Sequence, residues 1–140
     1  MEFNLLKGKF TEEQAKFLNP LVLALIGDGV YEVFIRTYLV EKNRDMNVHK
    51  IHLKTVAHVK AEAQSKFMKI IIDELNEDEL SIFKRGRNTK SSTPKNADVA
   101  DYRWATGFEA LMGYLYVLDK SDRLNYLLNK IMEGGDNNES

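Results

Sequence analysis

Two carboxylates stand in otherwise apolar stretches of this 140-residue chain, Asp28 in "LALIGDGVYEVF" and Glu109 in "FEALMGYLY". At helical spacing Asp28 shares a face with Leu21, Ala24, Leu25, Tyr31 and Ile35, and Glu109 with Tyr102, Ala105, Thr106, Met112, Gly113 and Tyr116. An ionised carboxylate on an apolar face is costly unless it is paired, hydrogen-bonded or bound to a metal. Arg36, Arg103 and several tyrosines are available as ordinary partners, and Glu32 reads as a salt-bridging residue. The alternative is chemical. If the two helices pack together, two carboxylates without a cation repel, and one of them takes up a proton. A hard divalent ion resolves that conflict, and magnesium accepts one or two protein carboxylates while keeping several waters. Such an ion suits hydrolysis of a phosphodiester. Gly113, one turn after Glu109, and Gly27 and Gly29 beside Asp28 would let the two backbones approach closely.

The elements that must position these acids are helical. Thr11 and Gln14 form a capping box for a short helix to about Phe17, and Asn19 with Pro20 starts a nearly all-apolar second helix to about Lys42. Asn47 caps a third helix, whose apolar stripe through Val56, Val59, Ala63, Phe67, Ile70 and Ile71 runs to about Leu75. Asn76, followed by Glu77, Asp78 and Glu79, opens a short helix to about Lys84. A long helix from Asp98 carries Glu109, with Asp98 as its cap and Asp101 in its first turn, and Ser121 to Met132 forms the last. No strand-like alternation of useful length occurs, so the expected fold class is all-α. The expected organisation is one domain over residues 1–133 with a disordered tail at 134–140.

Between the fourth and fifth expected helices lies "KRGRNTKSSTPKN", residues 84–96, with five basic side chains, no acid, one glycine and one proline. This is a loop composition. Lys84, Arg85, Arg87, Lys90 and Lys95, with Asn88, form a phosphate grip on a chain whose net charge is only −1. An A-form duplex is read mainly by shape and by phosphate and 2′-hydroxyl contacts, which such a loop can supply. The absence of cysteine excludes disulfides and thiolate chemistry and fits a reducing, cytoplasmic setting. His49, His52 and His58 lack the spacing of a zinc motif. Neither a secretory leader nor a membrane span is expected, because Asp28, Glu32 and Arg36 interrupt the longest apolar run.

"LALIGDGVYEVFIRTYL" and "FEALMGYLY" resemble the two catalytic helices of ribonuclease III domains. The stretch "FKRGRNTKSSTPKNADVADYRWATGFEALMGYLY" is similar to Mini-ribonuclease III, the short bacterial form without an appended double-stranded-RNA-binding domain. The resemblance extends over nearly the whole chain. It implies a ribonuclease III-like helical bundle, a homodimer, and a magnesium-dependent endonuclease acting on double-stranded RNA, with the stalk of precursor large-subunit (23S) ribosomal RNA as substrate. It carries the metal and catalytic roles onto Asp28 and Glu109 alone. Where full-length enzymes have two further acids this chain has Ala24 and Thr106, so one magnesium is expected and a second is left open. That reduction also leaves open a module of the same fold that binds duplex RNA or the ribosome without cutting. Assistance by a ribosomal protein is a further possible partnership.

Overall fold

The computed structural model describes residues 10–90 and 92–137, with side chains to 135. Among the described residues seven α-helices follow in order: α1 Glu12–Phe17, α2 Pro20–Lys42, α3 Val48–Val59, α4 Ala61–Ile71, α5 Glu77–Asn88, α6 Val99–Val117 and α7 Ser121–Asn137, with a 3-10 turn at Ile72–Glu74. No strand occurs among the described residues. The all-α expectation holds.

The helix starts are those written in the local chemistry. The Thr11 hydroxyl accepts from the Gln14 amide while the Gln14 side chain accepts from the Thr11 amide, and Asn76 and Glu79 repeat the exchange at the head of α5. Asn19, Asn47 and Asp98 each accept one orphan amide of the helix they precede.

Helix α6 runs through the middle, packed by α2, α4, α5 and α7. Tyr31, Ile35, Phe67, Met68, Phe83, Phe108, Leu111 and Leu127 belong to the main apolar cluster. Glycines on two sides of α6 let its neighbours come close. A Cβ on Gly27 would fall 1.7 Å from the Glu109 carbonyl oxygen, and one on Gly113 would fall 2.0 Å from that of Leu23. The second contact is between α5 and α6, where a Cβ on Gly86 would lie 2.9 Å from the Gly107 Cα. Gly29, expected to share in the close approach, has open space above it.

Three boundaries differ from expectation. The third helix does not run unbroken to Leu75: it breaks at Lys60, which is extended (φ −64°, ψ 153°), so that α3 lies on α2 while α4 turns to pack on α6 and α7. Helix α5 continues to Asn88, so Lys84, Arg85, Arg87 and Asn88 are helical rather than part of a loop, and only Lys90 and Lys95 lie beyond it. The Gly86 contact with α6 explains the extension, because tertiary packing fixes the turn that glycine would otherwise loosen. Helix α7 passes Met132 to Asn137, where Gly134 packs against Ile70 and Gly135 against Phe67. Of the tail at 134–140, residues 134–137 are therefore helical, and 138–140 lie outside the described residues.

Candidate active site

The contact of Gly27 with the Glu109 carbonyl sets the register of the site. It places α2 against α6 at residue 109 itself, so Asp28, the next residue along α2, comes beside Glu109. Asp28 lies near enough to act on the Glu109 carboxyl. The two acids are not equally enclosed. Gly27 faces α6 at the centre of the buried stripe, and the step of about 100° to the next residue carries Asp28 to its rim. Asp28 is exposed and Glu109 half-buried. The expectation that Asp28 points into the packed face is corrected accordingly: Ala24, Tyr31 and Ile35 are buried, whereas Leu25 is 74% exposed.

Burial pushes the Glu109 carboxyl up to about 8, and the charge and hydrogen bond of Asp28 push the same way. The Gln64 side chain, which donates to the Val59 carbonyl at 2.7 Å, lies near enough to oppose them by favouring the charged form. Neither acid forms an ion pair with a lysine or arginine among the described residues. Arg36 instead pairs with Glu32 at 3.1 Å, one turn along α2. No group of three or more acidic or histidine side chains able to hold a metal occurs among the described residues. Ala24 is buried, and the Thr106 hydroxyl donates to the Tyr102 carbonyl of its own helix at 3.0 Å.

The basic residues divide by environment. Arg85 donates to the carbonyls of Lys16 at 2.5 Å and Leu18 at 3.4 Å, which satisfies the C-terminal end of α1. Its guanidinium is thus engaged in the fold rather than free for a phosphate. Arg87 lies over the rings of Phe83 and Trp104, 5.4 and 6.0 Å from their centroids, and donates to Asn88. Lys84, Asn88, Lys90 and Lys95 are exposed. His49 and His52 are exposed as well, while His58 contacts the Lys54 carbonyl through Nδ1 and stacks on Phe67.

The sequence profile of the Ribonuclease III domain matches residues 21–120, which contain both acids and the basic stretch. A Mini-ribonuclease 3 of Clostridium tetani (strain Massachusetts / E88) is 54% identical over 125 residues, covering 89% of this chain and 83% of that one. The chain belongs to the Mini-ribonuclease III family. A second member, from Thermoanaerobacter sp. (strain X514), is 51% identical over 84% of this chain and 83% of its own. A solved structure shares the fold: a crystal structure of a protein from Fusobacterium nucleatum superposes with a TM-score of 0.77 at 32% identity, covering 85% of this chain and 95% of that one.

Two features of the site escaped the sequence. Gln64 falls among Ala63, Phe67, Met68 and Ile71 on the buried side of α4, and a lone amide in that stripe was the available signal. The anchoring role of Arg85 had no local signal, since its partners are sixty-nine and sixty-seven positions away.

Proposed function

We propose that the protein is a magnesium-dependent endoribonuclease that cleaves double-stranded RNA, with Asp28 and Glu109 as its catalytic and metal-holding residues. The observation that carries this reading is the juxtaposition of these carboxylates across the Gly27 contact, with neither ion-paired to a cationic side chain among the described residues. Structural acids acquire arginine or lysine partners; here burial and a second acid instead raise the proton affinity of Glu109. The donor set fits a hard divalent ion with few protein ligands and several waters. When bound there, magnesium would supply Lewis acidity at the scissile phosphate and an activated water. The chain's own part is to hold the two carboxylates in fixed register, and for Glu109 to give up its proton as the site fills.

Duplex binding is assigned to Lys84, Asn88, Lys90 and Lys95, with Arg87 beside them. Arg85 is left out because α1 occupies it. Helix α2 exposes Val22, Leu25, Val33 and Val40, with Gly29 open between them, a stripe suited to a symmetric second copy. A homodimer joined there would present two sites to one duplex. Family membership points further to a ribosomal-RNA precursor stalk as substrate and the cytoplasm as the setting, with a ribosomal protein as a possible assistant; no described helix is long and apolar enough to cross a membrane.

The test is cleavage of a long RNA duplex by the purified protein with magnesium, arrested by EDTA, with end mapping on a ribosomal-RNA stalk. Duplex binding without cleavage under these conditions would instead identify a non-catalytic module of the same fold. Leu25→Glu should shift the sedimentation coefficient to that of a single chain; an unchanged value would remove α2 as the dimer face.

A further inference from the structure

A cleft lined by neither Asp28 nor Glu109 opens where the end of α3, the outer side of α4, the first turn of α6 and the end of α7 meet. The extended Lys60 turns α4 out of the line of α3, and the cleft lies at that angle. Its volume of about 520 Å3 falls within the range of about 300–1,000 Å3 usual for small-ligand sites.

Ser65 lines this cleft and is 1% exposed, yet its hydroxyl makes no hydrogen bond. Two other buried helical hydroxyls show the ordinary outcome. Thr55 and Thr106 each donate to the carbonyl four residues back, at 2.8 and 3.0 Å. Ser65 leaves the corresponding Ala61 carbonyl unused. A buried hydroxyl without a partner is costly, and alanine would fill the position without it. The cleft therefore holds a spare donor.

Its charges are spare as well. Lys60, Lys66 and Lys69 line it together with Glu62 and Asp101, and none of the five forms an ion pair among the described residues. Lys69 lies instead over the Trp104 ring, 5.3 Å from its centroid. Ser65 and Lys69 are one helical turn apart on α4, and Lys66 is a turn before Lys69, so one hydroxyl and two ammonium groups share a stretch of helix surface. Phosphate accepts from all three. Carboxylates only accept, so Glu62 and Asp101 suit hydroxyl groups on the same molecule, as acids that bind ribose do. His58 and Phe67 also line the cleft and stack on each other, with centroids 6.1 Å apart and planes at 27°, which gives it an aromatic wall. An intact duplex keeps its bases stacked and paired on a wide rod and cannot follow a contour that encloses Ser65. A single nucleotide can.

We propose that this cleft binds a nucleoside monophosphate, with the phosphate on Ser65, Lys66 and Lys69, the ribose toward Glu62 and Asp101, and the base against His58 and Phe67. The site is separate from the acid pair and from the basic residues of α5 and the segment after it. It does not depend on the cation reading.

The experiment is isothermal titration calorimetry on the full chain in EDTA, with adenosine and uridine 5′-monophosphates as probes. At least one should bind with a dissociation constant of about 1 mM or lower. The matching nucleoside, which lacks the phosphate, should bind at least about tenfold more weakly. Ser65→Ala and Lys66→Ala should each weaken the nucleotide about tenfold, the loss expected for a hydrogen bond to a charged group. Ser65→Ala should melt no lower than the parent, since it removes an unmet group, and Lys66 is exposed, so its substitution leaves the core intact. Lys95→Ala should leave nucleotide affinity unchanged. Absence of binding by both nucleotides up to about 10 mM overturns the proposal, as do nucleoside binding equal to that of the nucleotide and parental affinity in Ser65→Ala. An equal loss in Lys95→Ala overturns it in favour of unspecific attraction to basic surface. A Lys66→Ala protein that keeps nucleotide affinity but shows a reduced salt dependence of duplex binding overturns it in favour of an RNA-backbone contact. Neither metal nor cleavage enters the measurement, so its failure leaves the reading of Asp28 and Glu109 standing.

Discussion

Glu79 and Glu109 are both drawn into the fold, and their surroundings could hardly differ more. Glu79, 2% exposed at the head of α5, accepts from Arg123 Nε at 2.9 Å and Nη2 at 2.8 Å and from the Asn76 amide at 3.0 Å. Burial pushes its carboxyl up, but the Arg123 hydrogen bonds, the Asn76 amide and the Arg123 charge together hold it below the usual carboxylate range. Glu109 has another carboxylate where Glu79 has a guanidinium, and is pushed up to about 8. Arg123 is engaged still further, donating to the Glu74 carbonyl at 2.6 Å. One acid is completed by the fold; the other has no cationic partner among the described residues, the condition on which the proposed cation site depends.

The largest consequence is for catalysis. Asp28→Asn or Glu109→Gln should each lower duplex cleavage by about a thousandfold or more, since several kcal/mol of charge stabilisation would be lost with the cation. Far-ultraviolet circular dichroism should be unchanged, because neither carboxylate bonds to a cationic partner whose loss would disturb the fold. Arg123→Ala should do the reverse. It leaves Glu79 buried and unpaired, a loss of about 3 kcal/mol in urea unfolding, with the cleavage rate of the folded fraction close to parental. An active Asp28→Asn protein would remove the distinction between the two acids.

The pH dependence of stability should separate them by sign. In metal-free protein Glu109 keeps its proton to about 8, while the unfolded chain sheds it near 4.5. Across that window the native state binds more protons, so stability falls as pH rises. Glu79 acts oppositely: its lowered folded value gives stability that is present above about 4.5 and lost as pH falls through that lowered value. Urea midpoints measured in EDTA over a pH series should form a dome with separable sides. Glu109→Gln should flatten the alkaline side and Glu79→Gln the acid side. An alkaline slope unchanged in Glu109→Gln would show that the fold does not raise the proton affinity of Glu109.

How far this contrast was legible in the sequence follows from the range of the interactions. Helix starts, and Gly27 and Gly113 as the close contact of α2 and α6, were readable because caps act within three residues and glycine beside an acid marks a backbone approach. Asp28 and Glu109 were readable as a pair, but not the exposure of the first, since one helical step decides between core and rim. The break at Lys60 was invisible: no glycine or proline marks it, and the side chains that stabilise it come from Tyr31 on another helix and from Gln64. The expected basic loop was wrong in its first half for the same reason, as Gly86 is held helical by Gly107 on α6.

The smallest expected effects concern Arg85, where composition and environment disagree. Read as one of five basic residues it belongs with Lys90 and Lys95; read by its hydrogen bonds it belongs with Arg123, a guanidinium completing carbonyls at a helix end. Arg85→Ala should therefore lower stability by about 1.5 kcal/mol, the value of hydrogen bonds made by a charged donor, and leave the salt dependence of duplex binding as it is. Lys90→Ala or Lys95→Ala should each reduce the slope of log affinity against log salt by about 1 with no change in urea midpoint. Because both arms are read on the same proteins, a reduced slope in Arg85→Ala at parental stability would reverse the assignment, and would mean that its bonds to Lys16 and Leu18 yield to phosphate when a duplex arrives.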